Sequence, residues 1–400
     1  MLQEPIKFFI IAGESSGDMI GTKLIKEIKT FFNKDDPLYF IGIGGENMKD
    51  QGLNSIFNMN DINLMGFFEI IPHIPKLLLR INQTVKQIIK EKPDYLITID
   101  SPDFCFRVMK LLQKKVNKNP KLKEKFTNLK KSHIIAPSVW AYREKRAQKI
   151  AKFYNLLLAI LPFEPPYFEK YGLKTVFIGN PAVEKIPNYS KKSELKLKFR
   201  SKYQLKKNDF VILVTPGSRI SEVKKIFPEF IKSLNLLYQE NCNIMAAILV
   251  TNKTKELVTK MSNRINCPHD IITGEDKESA LFSADFAIAK SGTNNLELSL
   301  YKIPMIIGYK VNYLSYLIAR SFIKVKFVNL INLVLNRRVI VELIQDQCNG
   351  KKLFEELRHL MIDKNEVEKQ IRDCELALEI LGTNRVESAS KKAAMQILGS

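Results

Sequence analysis

Short apolar runs alternate along the chain with longer stretches whose apolar residues recur at helical spacing. The runs at Ile6–Ala12, Leu38–Gly42, Tyr95–Asp100, His133–Ala136, Leu156–Leu161 and Val176–Gly179 read as strands. A second series follows at Phe210–Thr215, Ile244–Val250, Ile271–Thr273, Phe286–Ala289 and Met305–Gly308. Most are continuously apolar, the pattern of strands covered on both faces. Phe104–Val116, Ile226–Tyr238 and Thr254–Ile265 read as helices between them. Strand and helix in alternation predict an α/β chain built on doubly wound parallel sheets.

The alternation is interrupted once. Residues 181–208 hold Pro181, Pro187 and a lysine-rich, helix-like segment, and read as a linker. The expected layout is an N-terminal domain over 1–180, a C-terminal domain over 209–370 and a helical tail over 371–400. In a chain of 400 residues each domain is long enough to bury its own core.

Two segments differ in character. Residues 61–85 are rich in apolar side chains broken by Pro72 and Pro75. Residues 311–338 set Tyr313, Leu314, Tyr316, Phe322 and Ile323 beside Arg320, Lys324 and Lys326. Apolar side chains next to cations suit a membrane interface, and equally a core helix with a solvated basic face. No stretch reaches the ~18 apolar residues of a transmembrane helix, and the apolar run at 8–12 is too short for a secretory signal, so neither is expected.

The formal charge of +21 points toward anionic partners. Fifty of the 63 basic residues are lysine, a bias that base composition of the genome also produces. Five scattered cysteines suggest reduced thiols in a cytoplasm. Neither they nor the four isolated histidines stand at metal-ligand spacing, so no metal site is expected.

Candidate chemistry collects just past the strands, where doubly wound sheets bind ligands. Glu14, Ser15, Ser16, Gly17 and Asp18 follow the first strand in a small-residue loop suited to an anion. Gly42-Ile43-Gly44-Gly45 follows the second and allows close backbone approach to a ligand or to the first loop. Asp100 ends the strand at 95–100, where a catalytic base would stand, whereas Asp103 reads as a helix cap. Ser138 and Trp140 lie on another strand-end loop and suit a cleft wall. Gly217, Ser218 and Arg219, leading through Glu222 into a helix, form a phosphate-type loop. Ser291, Gly292 and Thr293 form a second, with Glu297 one turn on to accept from ribose hydroxyls.

These motifs stand in a telling order: GESSGD at 13–18, IDSPDF at 99–104, PSVWAYREKR at 137–146, LPFEPPYFEKYG at 161–172, TPGSR at 215–219, SGTNNLEL at 291–298 and VELIQ at 341–345. Together they resemble the lipid-A-disaccharide synthase family, bacterial inverting glycosyltransferases with two Rossmann-like domains facing a cleft (GT-B type). The resemblance implies a UDP-2,3-diacylglucosamine donor, a 2,3-diacylglucosamine 1-phosphate acceptor and a β-1,6-linked disaccharide 1-phosphate as product. It implies no cofactor or metal, and peripheral association of a cytoplasmic enzyme with inner-membrane lipid. It puts the general base on Asp100 and charge stabilisation on Arg219. Asn332 enters the donor or transition-state site, with Tyr309, Glu342 and Gln345 lining the same cleft. The chain departs from the family pattern at Tyr142, Asn180 and Ile331. Oligomeric state is left open, a homodimer included.

Two other readings compete. A UDP-sugar epimerase, or another two-Rossmann glycosyltransferase, keeps the fold and the UDP site but needs no lipid. A nucleic-acid-binding protein would use the +21 charge, yet the cations are dispersed and no recognised module is present, so nucleic acid is not an expected partner.

Overall fold

The computed structural model describes residues 4–62, 74–141, 144–240, 243–311 and 325–399. The chain divides into two units: residues 1–181 with 385–400, and residues 182–384.

The first unit is built on a seven-stranded sheet in the order β3-β2-β1-β4-β5-β6-β7. Its strands are β1 (Ile6–Ala12), β2 (Leu38–Ile43), β3 (Leu53–Ser55), β4 (Tyr95–Ile99), β5 (Lys130–Ile134), β6 (Leu156–Ala159) and β7 (Lys174–Phe177). Every pairing is parallel. Two apolar layers cover the sheet. Phe9 and Ile11 point into one, with Val85, Ile88 and Val108. Phe8 and Ile10 point into the other, with Leu24, Ile25 and Ile28. Burial on alternate sides of one strand accounts for its unbroken apolar run.

The second unit carries six parallel strands in the order β10-β9-β8-β11-β12-β13. They are β8 (Phe210–Thr215), β9 (Ile244–Leu249), β10 (His269–Ile272), β11 (Phe286–Lys290), β12 (Met305–Tyr309) and β13 (Val341–Ile344). Counted from its own first strand, this is the order 3-2-1-4-5-6 of a doubly wound nucleotide-binding sheet. The doubly wound α/β expectation therefore holds in both units.

Two expected boundaries change. Residues 181–208 are not a free linker. The Lys192–Lys202 helix buries Phe199 and packs on the Asp276–Ser283 helix. Tyr203 donates to Asp270 at 2.5 Å, and Lys202 pairs with Asp276 at 2.7 Å. Nor are residues 371–400 one tail. The Lys364–Leu381 helix belongs to the second unit, where Gln370 accepts from the Met305 amide at 2.7 Å. The Ala389–Leu398 helix returns to the first unit, burying Ala393, Ala394 and Ile397 beside Leu24 and Ile28.

Candidate active site

In the first unit the strand order reverses between β1 and β4, which pair from Phe8↔Tyr95 to Ala12↔Ile99. The residues just past both strands therefore emerge side by side at a topological switch point. Asp100 and Ser101 both adopt the left-handed conformation, with φ of 50° and 45°. Such backbone costs a non-glycine residue about 1–3 kcal/mol and persists where the surroundings hold it. The Asp100 amide is held by the Ile134 carbonyl at 2.9 Å. Burial raises the Asp100 carboxyl above the usual carboxylate range, and the Ser101 amide, donating to it, opposes that shift. A desolvated carboxylate is a stronger base than one in water.

Across from Asp100, the Ser15–Thr30 helix starts earlier than its apolar spacing suggests. Ser15, Ser16, Gly17 and Asp18 form its first turn instead of a loop, and Glu14 is the extended residue before it. Ser15 and Ser16 are exposed. Asp18 is not available to a substrate. Its buried oxygens accept from the Gly45 amide at 2.7 Å, the Met48 amide at 3.2 Å, and Asn47 through both its amide (3.3 Å) and its side chain (2.8 Å). The glycine-rich 42–45 turn thus approaches the first helix through this carboxylate. Ser138 is exposed. The Trp140 indole donates to Glu164 at 3.1 Å and meets Phe163 edge-on. Asp103 pairs with Arg146 at 2.7 Å, a surface contact. His133 is a core residue: burial pushes its ring down to about 3, and Nδ1 lies 2.7 Å from the Thr98 hydroxyl.

The second unit repeats the arrangement. β8 and β11 are neighbours, paired from Ile212↔Phe286 to Thr215↔Ala289. Beyond their ends lies a cavity of ≈ 300 Å³ lined by Gly217, Ser218, Gly292, Thr293 and Glu297. Gly217 has φ of +121°, which is what calls for glycine, and a Cβ there would also crowd the Glu222 side chain, 2.9 Å from its Oε2. Arg219 immediately precedes the Ile220–Gln239 helix, and its Nη1 lies 3.6 Å from Glu222 Oε1. The same oxygen lies 3.1 Å from Lys290 Nζ. Lys290 also sits over the Tyr309 ring, 5.8 Å from its centre, and burial raises the Tyr309 phenol above its ordinary value. Glu297 pairs with Lys277 through both oxygens, at 2.7 and 2.8 Å. The Ser291 hydroxyl is taken by the Val328 carbonyl at 2.9 Å, which leaves its backbone as the group to offer a ligand.

The three late residues have structural tasks. Asn332 is fully buried, and its amide is saturated. Nδ2 donates to the Ile340 carbonyl and to Glu342, each at 2.8 Å, and Oδ1 accepts from the Val339 and Ile340 amides, each at 2.9 Å. The catalytic assignment of Asn332 is therefore withdrawn. Glu342 accepts from the Val328 and Asn329 amides at 2.9 Å, and burial raises its carboxyl. Gln345 is buried and accepts from the Val311 amide at 2.7 Å. Glu342 Oε1 is fully engaged by the Asn329 amide and Asn332 Nδ2, whereas Glu342 Oε2 and Gln345 Oε1 each hold one backbone amide.

Sequence reasoning passed over Lys277 and Lys290, which line the second-unit cavity beside the expected residues. The signal for Lys290 is its place at the end of β11, directly before Ser291; nothing local marks Lys277.

Comparison with known proteins agrees with this architecture. The family model for lipid-A-disaccharide synthetase matches residues 8–398. A lipid-A-disaccharide synthase of Rickettsia bellii (strain OSU 85-389) is 41% identical over 379 residues, 94% of each chain. One from Rhodospirillum centenum (strain ATCC 51521 / SW) is 35% identical over 396 residues, 99% of this chain and 94% of the other. Among solved structures, the UDP-GlcNAc 2-epimerase of Neisseria meningitidis bound to UDP-GlcNAc aligns with a TM-score of 0.60 at 12% identity, over 98% of this chain and 100% of that one. The S. aureus MnaA–UDP co-structure aligns with a TM-score of 0.57 at 15% identity, over 93% and 94%. At such identity the structural likeness speaks to the fold, and the epimerase reading gains nothing further from it. The sequence matches, which span almost the whole length, decide the activity: the chain belongs to the lipid-A-disaccharide synthetase family and is a glycosyltransferase of lipid A biosynthesis.

Proposed function

We propose that this glycosyltransferase joins UDP-2,3-diacylglucosamine to 2,3-diacylglucosamine 1-phosphate, with inversion, to give a β-1,6-linked disaccharide 1-phosphate and UDP. The observation that carries the residue-level reading is Asp100: a desolvated carboxyl in left-handed backbone at a switch point. In the reaction the acceptor 6-hydroxyl gives its proton to Asp100 as its oxygen attacks the anomeric carbon from the face opposite the diphosphate. Attack from that face inverts the centre. Glu14, Ser15, Ser16 and Gly17 sit beside this base, and Ser138 and Trp140 form a wall on the acceptor side.

The donor fits the second-unit cavity. Glu297 takes the ribose hydroxyls once Lys277 yields, while Arg219 and the backbone at Gly217–Ser218 and Gly292–Thr293 receive the diphosphate. The two solved neighbours named above hold UDP or a UDP-sugar, which agrees with such a donor. Fixed cations stand where a metal would otherwise neutralise the leaving group, and the reaction is proposed to need none.

The acyl chains of both substrates argue for work at the inner-membrane surface. No helix among the described residues is long and apolar enough to cross a membrane. The Ile74–Glu91 helix instead exposes Ile74, Leu78 and Leu79 by 41, 47 and 60%. These three side chains are the proposed membrane contact. Residues 63–73, and 312–324 of the other apolar segment, lie outside the described residues.

The test is incubation with both acylated sugars, scored for disaccharide and UDP, with and without chelator. Asp100→Asn should reduce turnover by about 10²–10⁴-fold while leaving UDP affinity within about twofold. Unchanged turnover removes Asp100 as the base, and loss of activity on chelation contradicts the metal-free reaction.

A further inference from the structure

We propose that Lys290 is a second diphosphate-binding cation, held ready by Glu222 until the donor arrives. The inference rests on the donor site proposed above and adds a residue that the motif reading did not assign.

Lys290 is the last residue of β11 and opens onto the cavity beside Gly292 and Thr293. Only 18% of its side chain is exposed, so its aliphatic stem is largely packed and holds the ammonium in place. Glu222, 15% exposed, directs one oxygen at Lys290 (3.1 Å) and at Arg219 (3.6 Å). One carboxylate thus faces two cations. Of the charged residues that line the cavity, Lys277 and Glu297 neutralise each other, which leaves Lys290 as the cation facing an anion there. A lysine ammonium carries three donors, which suits a phosphate point contact beside a forked guanidinium. A Cβ on Gly292 would stand 3.7 Å from Lys290 Nζ, so the glycine leaves open approach to the ammonium. The Tyr309 ring backs Lys290 and limits its retreat.

During transfer the sugar–phosphate bond breaks and its electron pair goes to the diphosphate. Lys290, already positioned by Glu222, stabilises that charge more in the transition state than in the bound donor.

The experiment compares binding of UDP, UMP and uridine to wild type, Lys290→Met and Lys290→Arg, together with kcat. For Lys290→Met we expect UDP to weaken at least tenfold with uridine unchanged, and kcat to fall. Lys290→Arg should restore most of both. An unchanged UDP-to-uridine ratio in Lys290→Met overturns the proposal. Equal weakening of all three ligands overturns it too, because that is the signature of a purely structural lysine. If Lys290→Met does not fold, Lys290→Gln gives the same readout. Wild type that fails to bind UDP at all refutes the donor site itself, a different result from failure of Lys290 alone.

Discussion

A Cβ on Gly13 would overlap the Oγ of Ser101 and stand 2.8 Å from its Cβ. The loops after β1 and β4 therefore interlock, and glycine at 13 is what lets Ser101 keep its left-handed backbone beside Asp100. Gly13→Ala should push Ser101 aside and misplace the Asp100 carboxyl. Activity should drop by about tenfold or more, with a stability cost of about 1–3 kcal/mol. Thermal unfolding and initial rates check this, and a variant with wild-type rates would show that the interlock has no catalytic consequence.

Asn332 offers a contrasting case. Its four hydrogen bonds tie the Leu330–Leu335 helix to Ile340 and Glu342. Asn332→Ala would strand buried partners, at a cost on the order of 1–3 kcal/mol for each group left unsatisfied. The expected result is a lower Tm with near-normal specific activity of the folded fraction at low temperature. A rate collapse at unchanged Tm would return Asn332 to the chemistry.

Glu164 should make stability depend on pH. Burial pushes its carboxyl up to about 7 from 4.5, although the Trp140 indole and backbone amides oppose the shift. The folded chain then holds the Glu164 proton more tightly than the unfolded chain does. That contribution is complete below pH 4.5 and is lost as the pH rises through about 7. The loss is at most on the order of 3 kcal/mol. Between pH 5 and 8.5 the wild-type Tm should fall more than that of Glu164→Gln. Parallel curves would remove Glu164 as the titrating group.

Replacing Ile74, Leu78 and Leu79 together by serine should leave UDP binding intact and raise the unbound fraction in liposome flotation. Transfer of about 25 cal/mol per Å² of apolar area makes three such side chains worth several-fold in partitioning. If flotation is unchanged, the membrane contact lies elsewhere.

Much of this was legible in the sequence because glycine, serine and proline cluster just past unbroken apolar runs. That punctuation located Asp100 and both phosphate-type loops. β3 went unread because it has only three residues, Leu53–Ser55. β13 went unread because Glu342 interrupts its apolar run. The Ser15–Thr30 helix takes in Ser15–Asp18, which read as a loop, since serine and glycine weaken the local helical signal. The saturation of Asn332 depends on residues seven to ten positions away, which only tertiary folding brings into reach. Lys290 reads as one lysine among fifty, and its meaning comes from Glu222 in the first turn of the Ile220–Gln239 helix.

The return of the Ala389–Leu398 helix has a consequence for biosynthesis. Its Ala393, Ala394 and Ile397 fill a layer against the Ser15–Thr30 helix, from which about 360 residues of chain separate it. As the ribosome releases the protein from its N-terminus, the first unit must wait with that apolar layer incomplete until the second unit has been made. At about 5–20 residues per second the wait lasts on the order of tens of seconds. The first unit is thus exposed to chaperones and to aggregation for as long as it takes to synthesise the second, and its folding is finished by a helix translated after that second unit.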